Sequence, residues 1–546
     1  MSSEFQAIAE DYISATNRRD PGAATGRGFH ELDADLTDRG RNALDAHQAE
    51  VRSLLDRLDA LDRTRFDGTE AMDAEFLTRR LRWEQTEHEE VRGWQRSPSG
   101  YLGAIGSSCN NLVIRQFAPL DQRLASLVSR LSLVPRLLDQ ARANLLDPST
   151  YAVDNAVESG AGLRVLFQRD LPAAAAGADA ARRADVERAC GDALAAVDGF
   201  VDWLKTDLRP RATQDFAWGR DTFANLLRYS DSIDDSIETL IARGEEDLRR
   251  HQARLAEVAA AIDANAAPAE VVDRVSTDHP TAQELLPATD ALLEELRQFS
   301  IDAGLCTMPT EVRIKLTETP GFSRMTTQAA CSPPGPFETV ANEAYYYVTP
   351  PDPSWPPDRT ESYLKFFNRW SIPGVTAHEA YPGHYVHLTY LQQAESKLAR
   401  YLRGTTTTTE GWAHYIEQVL VEAGYGDRNA RYELMQLREA LLRLCRYRCA
   451  FGLHVEGWSV EQGIDFFIGE GYSTPVIAER ETKRGVLGPG YYAYTMGKHL
   501  ILNLRDKVRQ RDGAEFSLTR FHDEFMRLPY PVPVIERIML GSPPAS

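Results

Sequence analysis

The sequence is short of positive charge. Its 546 residues carry 61 Lys and Arg against 80 Asp and Glu, a formal balance of −19, and no basic stripe runs along it. Nucleic acid or an anionic membrane surface needs clustered cations to displace counterions, so neither is an expected partner. Also missing is any uninterrupted apolar run of about 18 residues, the least that spans a bilayer as a helix. Cysteine is sparse, with six in the chain: Cys109, Cys190, Cys306, Cys331, Cys445 and Cys449. Only the last two are neighbours, and their i,i+4 spacing without a second pair reads as two small apolar residues on one helix face rather than half of a zinc ribbon. The N-terminal stretch is charged and broken, unlike the apolar core of a signal peptide. A cytoplasmic, reducing location is the expectation.

What the chain has in quantity is helical periodicity. Over residues 42–62, Leu44, Val51, Leu54, Leu55, Leu58 and Leu61 recur at three-, four- and seven-residue steps, one buried stripe. Leu124, Leu127, Val128, Leu131, Val134, Leu137 and Leu138 repeat the pattern, with Pro135 as a break. A third stripe runs through Ile237, Leu240, Ile241, Leu248, Leu255, Val258 and Ile262, with a partner expected over 282–303. Residues 173–181, rich in Ala, Gly and Asp, read as a loop entering a helix. Strand signal is scarce. The one convincing stretch is 344–349, where aromatic and β-branched residues precede the prolines 350, 351, 353, 356 and 357, and it reads as an edge strand followed by a rigid loop. Helical patterns resume from Glu361. The expected fold is mainly α, with a helical N-terminal half over 1–303, a C-terminal half over 304–546 carrying the chemistry, and a small sheet beside it. A cleft is expected between the halves, within one continuous unit.

The densest histidine cluster is His378-Glu379-Ala380-Tyr381-Pro382-Gly383-His384, followed by His387. In the motif H-E-x-x-H, two imidazoles one helical turn apart bind zinc, and the Glu beside the first is general base toward the metal's water. Here the second His falls at i+6, about 240° round a regular helix from the first. Pro382 and Gly383 lie in that interval and are able to bulge the helix so that His384 returns to the metal. His384 with His387, at i,i+3, is a competing pair. A third ligand is expected from a later element, and the candidates share one helix face: Glu410, 26 residues past His384, then His414 and Glu417. One would ligate and the others would orient it, although Thr407 and Glu410 also fit a capping box.

The segments His378-Glu379-Ala380-Tyr381-Pro382-Gly383-His384 and Glu410-Gly411-Trp412-Ala413-His414-Tyr415 resemble the paired signatures of the bacterial domain-of-unknown-function family 885 (DUF885). The likeness extends to Asp20-Pro21-Gly22, to Gly452-Leu453-His454 with Gly457-Trp458, and to Phe521-His522-Asp523, nearly the whole chain. That family is similar to the helical zinc peptidases of the thimet oligopeptidase and angiotensin-converting enzyme type. The resemblance implies a large helical zinc-peptidase-like fold, Zn²⁺ as cofactor and a small peptide as substrate. It implies His378, His384 and Glu410 as ligands, because the third ligand of those enzymes is a Glu about 25 residues past the second His. Glu379 is then the base, and Tyr494 and His454 are candidates for stabilising the oxyanion, with Tyr491 and Tyr492 competing for the position of Tyr494. A metallohydrolase of non-peptide amides or esters, or a binding protein retaining the fold, is the alternative. The sequence carries no signal of oligomeric state.

Overall fold

In a computed structural model of the chain, residues 3–324 and 327–541 are described. The three periodic stripes become helices for the reason their spacing gives. The first is helix Arg41–Asp59, burying Val51, Leu54 and Leu58. The second divides into Leu120–Ser132 and Val134–Asn144. Pro135 sits in the first turn of the latter, where a missing N–H leaves nothing unsatisfied. The third is the long helix Ile237–Ile262, and its expected partner is helix Leu285–Asp302.

A three-stranded sheet in the order β1-β3-β2 interrupts the helices: β1 is Lys315–Glu318, β2 Ala329–Ser332 and β3 Tyr345–Val348. β1 runs parallel to β3 and β2 antiparallel to it, with Cys331 opposite Tyr346 and Ser332 opposite Tyr345. The strand expected at the edge is therefore the central one. The prolines that suggested an edge lie beyond its last residue, so they remove no ladder donor. Tyr346 and Val348 are buried on one face, and the Tyr346 hydroxyl lies 3.4 Å from Thr376 Oγ1. The sheet thus packs on the helix that carries the His-Glu pair, and the free edge beside that helix belongs to β2.

The apolar cores do not respect residue 303. One joins Met72, Phe76 and Leu296 to Trp412, Tyr415 and Phe525, and a second joins Phe223 and Leu255 to Tyr447 and Phe451. A third packs Phe5, Tyr12 and Leu77 on Leu398 and Tyr401. The C-terminal helices are built onto the N-terminal ones, because the amphipathic faces of neither set find enough partners within their own half.

Two helices set the position of the candidate third ligand. Helix Thr406–Glu422 packs on helix Ala493–Asp512 with almost no side-chain spacing. A Cβ on Gly411 would lie 2.4 Å from the Cα of Gly497, and one on Gly497 would lie 1.9 Å from the carbonyl oxygen of Thr407. Gly411→Ala is expected to cost about 3 kcal/mol or more, because its methyl meets backbone that cannot rotate away. Calorimetry checks this through the unfolding midpoint, and an unchanged midpoint would show that the helices part without cost.

Candidate metal and catalytic site

The His-Glu helix, Ile372–Glu379, stops at Glu379, and a new helix begins at His384 and runs to Leu391. Between them the chain leaves helical geometry at Ala380 and Gly383 and contains a cis Tyr381–Pro382 bond. The expected bulge is thus a complete break. Gly383 makes it possible, since a Cβ there would lie 2.0 Å from the carbonyl oxygen of His378. The buried Trp412 indole donates to the Pro382 carbonyl oxygen at 3.0 Å and ties the break to the next helix. As a result the two imidazoles stand edge to face, ring centres 4.7 Å apart.

Glu410 completes the group. Its Oε2 is 3.5 Å from His378 Nε2 and 3.4 Å from His384 Nε2, and one ligand atom from each residue falls within a 4.8 Å group. Tetrahedral zinc, with bonds of about 2.0–2.1 Å, separates its ligand atoms by about 3.3 Å. Glu410 Oε2 is buried and accepts no hydrogen bond, so the two imidazoles surround an acceptor without satisfying it. The residues present fit a zinc ion. Glu410 does not close its helix N-terminus, since the cap is Thr405, whose hydroxyl accepts from the Thr408 N–H. Its carboxylate is free to face the histidines.

His378 is held from behind. Its Nδ1 lies 2.7 Å from Glu417 Oε1, which orients the ring with Nε2 facing Glu410. The other contacts of Glu417 are His414 Nδ1 at 3.2 Å and Arg443 Nη2 at 2.9 Å, so it supports the site rather than joining it. Burial opposes a charge on His378, but Glu410 and Glu417 overcome it and hold the imidazole up to about 10. Burial also works against ionised Glu410, and the two histidines outweigh it; for Glu417, Arg443 and His414 do the same. Both carboxylates stay well below their usual range.

Glu379 lies against the sheet, where its Oε2 accepts the Cys331 N–H of β2 at 2.8 Å. Tyr494 alone of the three tyrosines reaches the site. Its ring lies 6.3 Å from that of His378, with the Arg443 and Arg446 guanidinium groups 5.6 and 5.4 Å from its centre. Burial and the Glu410 charge push its hydroxyl up, so it stays a donor. Tyr492 instead donates to Asp231, and the Tyr491 hydroxyl is buried over Gly485.

The other histidines are not brought to the group. His387 is wholly buried between Trp412 and Phe525, neither ring nitrogen has a partner, and burial pushes it down to about 3. His414 is buried behind Glu417, its Nδ1 3.2 Å from Glu417 Oε2. His454 stands about 16 Å along its helix from Arg443, eleven residues at 1.5 Å each. Its Nδ1 lies 3.3 Å from the Trp218 N–H and its Nε2 2.7 Å from the Gly485 carbonyl oxygen. The proposed oxyanion role is corrected on that ground: both nitrogens already serve the backbone. His454→Ala is expected to leave the activity per folded molecule within about twofold while costing about 1–3 kcal/mol of stability, read by comparing kcat with the urea midpoint.

Sequence reasoning passed over Arg443 and Lys498. Arg443 is one of several arginines on helix Ala430–His454, and only the fold turns this one onto Glu417. Lys498 is buried near His414 and Glu417 with its Nζ unpartnered, and burial pushes it down to about 8. The Gly411 to Gly497 contact, which seats Lys498 there, left no sequence signal beyond the glycines themselves.

No curated protein matches the chain. Two solved structures are similar to it over nearly all of both chains. A protein from Shewanella oneidensis, provisionally described as a lipoprotein of unknown function, is 25% identical with a TM-score of 0.80, covering 98% of this chain and 99% of its own. A protein from Colwellia psychrerythraea, also provisionally described as a lipoprotein, is 17% identical with a TM-score of 0.83, covering 99% of each. The family described as bacterial protein of unknown function, DUF885, matches residues 21–539, and the chain belongs to that family.

Proposed function

We propose that the protein is a zinc-dependent metallopeptidase that cleaves short peptides, with the helical body and its small sheet serving as a zinc-peptidase-like scaffold. The observation that carries the reading is the unsatisfied, buried Glu410 Oε2 set 3.4 and 3.5 Å from two imidazole nitrogens, with Glu379 directly after His378 in the chain as the candidate base. His378, His384 and Glu410 would hold Zn²⁺, which when bound supplies a Lewis acid and a water acidified toward about 7.

The remaining chemistry falls to the chain. Glu379 Oε2 is anchored by the Cys331 N–H, leaving Oε1 to take the proton of the attacking water and deliver it to the leaving amine. The Tyr494 hydroxyl, kept protonated by its surroundings, donates to the carbonyl oxygen as it becomes negative. An extended peptide is aligned along the free edge of β2, which replaces 344–349 in that role. A cytoplasmic location belongs to this proposal, and the lipoprotein descriptions of the two relatives make the cell envelope its alternative, which fractionation separates. The test is hydrolysis of a mixed library of short fluorogenic peptides. Activity is expected to vanish on chelation and return with zinc, and no hydrolysis by fully zinc-loaded protein would sink the reading.

A further inference from the structure

Arginines in this acidic chain are usually matched to carboxylates. Arg443, Arg446, Arg448 and Arg505 each have one within 2.9 Å. A group around the loop after β2 breaks the habit. This loop, Pro333-Pro334-Gly335-Pro336-Phe337, follows Ser332, the last residue of β2 and the neighbour of the Cys331 whose N–H anchors the base. Arg115 Nη2 donates to the carbonyl oxygens of Ser332 and Pro333 at 2.7 and 2.8 Å. Arg27 presents its carbonyl oxygen to the Phe337 N–H and lays its guanidinium 4.6 Å from the Tyr401 ring centre. Arg403 follows two residues after Tyr401.

Among the described residues, Arg27, Arg115 and Arg403 form no ion pair with any carboxylate. Arg27 Nη1 and Arg403 Nη2 are buried with no acceptor. Glu343 lies within electrostatic reach of Arg115, yet only its backbone oxygen is bonded, at 3.3 Å. Burial together with Arg27 pushes Arg403 down to about 10. Arg403 also sits in the left-handed backbone region, φ 62°, where an arginine costs conformational energy. The unanswered donors of Arg27 and Arg403, with Arg115 bonded only to carbonyl and hydroxyl oxygens, leave positive charge beside a candidate base that suits an anionic group.

We propose that Arg27, Arg115 and Arg403 form a subsite for a carboxylate of the substrate. At about 3.3 Å per extended residue, a group held beside Ser332 and Pro333 lies one or two residues from the bond facing Glu379. The enzyme then removes short units from the C-terminal end of a peptide, or cleaves next to an acidic residue. That second step rests on the peptidase reading; the binding step does not.

Calorimetry on the full chain, with and without chelator, uses three probes: N-acetyl-Ala-Ala, its C-terminal amide, and N-acetyl-Asp-Ala amide. Binding of the free acid alone, in both conditions, identifies the C-terminal carboxylate as ligand, and binding of the aspartyl amide identifies an acidic side chain. Arg403→Met and Arg27→Met are each expected to weaken the bound probe roughly ten- to a hundredfold. The proposal is overturned if no carboxylate probe binds, if binding disappears with chelator, or if both Met variants bind like the parent. Hydrolysis that ignores both the C-terminal charge and acidic side chains would reject the subsite and keep the peptidase; carboxylate binding without hydrolysis would do the reverse.

Discussion

Glu379→Gln is expected to abolish peptide hydrolysis while leaving bound zinc in place. Positioned acid–base groups contribute about 10²–10⁴ in rate, and a base that also delivers the proton to the leaving amine belongs at the upper end, so kcat should fall by about 10³ or more. The amide can still accept the Cys331 N–H that the Glu379 carboxylate accepts. The substitution therefore preserves the shape of the site and removes only the proton acceptor. Elemental analysis beside single-turnover hydrolysis separates the two effects. Activity retained at full zinc occupancy would refute the role of Glu379 as base.

The second large effect is on the metal. Glu410→Ala or His378→Ala is expected to take zinc from about one per chain to near zero, because two remaining protein ligands do not make a stable site. Glu417→Gln should behave differently, weakening zinc about 10–100-fold through loss of the carboxylate that orients His378. Arg443 keeps Glu439 at 3.3 Å, so that variant does not strand a buried charge. The contrast decides the roles of the two carboxylates. A full complement of zinc in Glu410→Ala would transfer the ligand role to Glu417.

Much of this arrangement was legible in the residues. Six-residue spacing between His378 and His384 excluded a regular helix, and Pro382 with Gly383 marked where the chain departs from it. Glu410, His414 and Glu417 share a face because they lie four and seven residues apart on one helix. What the spacing left open was which carboxylate meets the imidazoles. The turn of the helix pair at Gly411 and Gly497 decided that, by fixing how helix Thr406–Glu422 rolls toward the break at 380–383. β1 and β2 were illegible because four residues are too few to show alternation, and the sequence 329–332 is mostly small side chains.

The sequence by itself determined the helical character of the chain and the place of the His-Glu pair and its later carboxylate, since each depends on residue type and local period. Tertiary structure alone decided that β2 rather than β3 offers a free edge, that His454 serves backbone while Tyr494 faces His378, and that Arg27, Arg115 and Arg403 come to one loop with no ion pair among the described residues. These are contacts between residues tens to hundreds of positions apart. Local propensity does not encode them, and they follow only from which buried faces pack together.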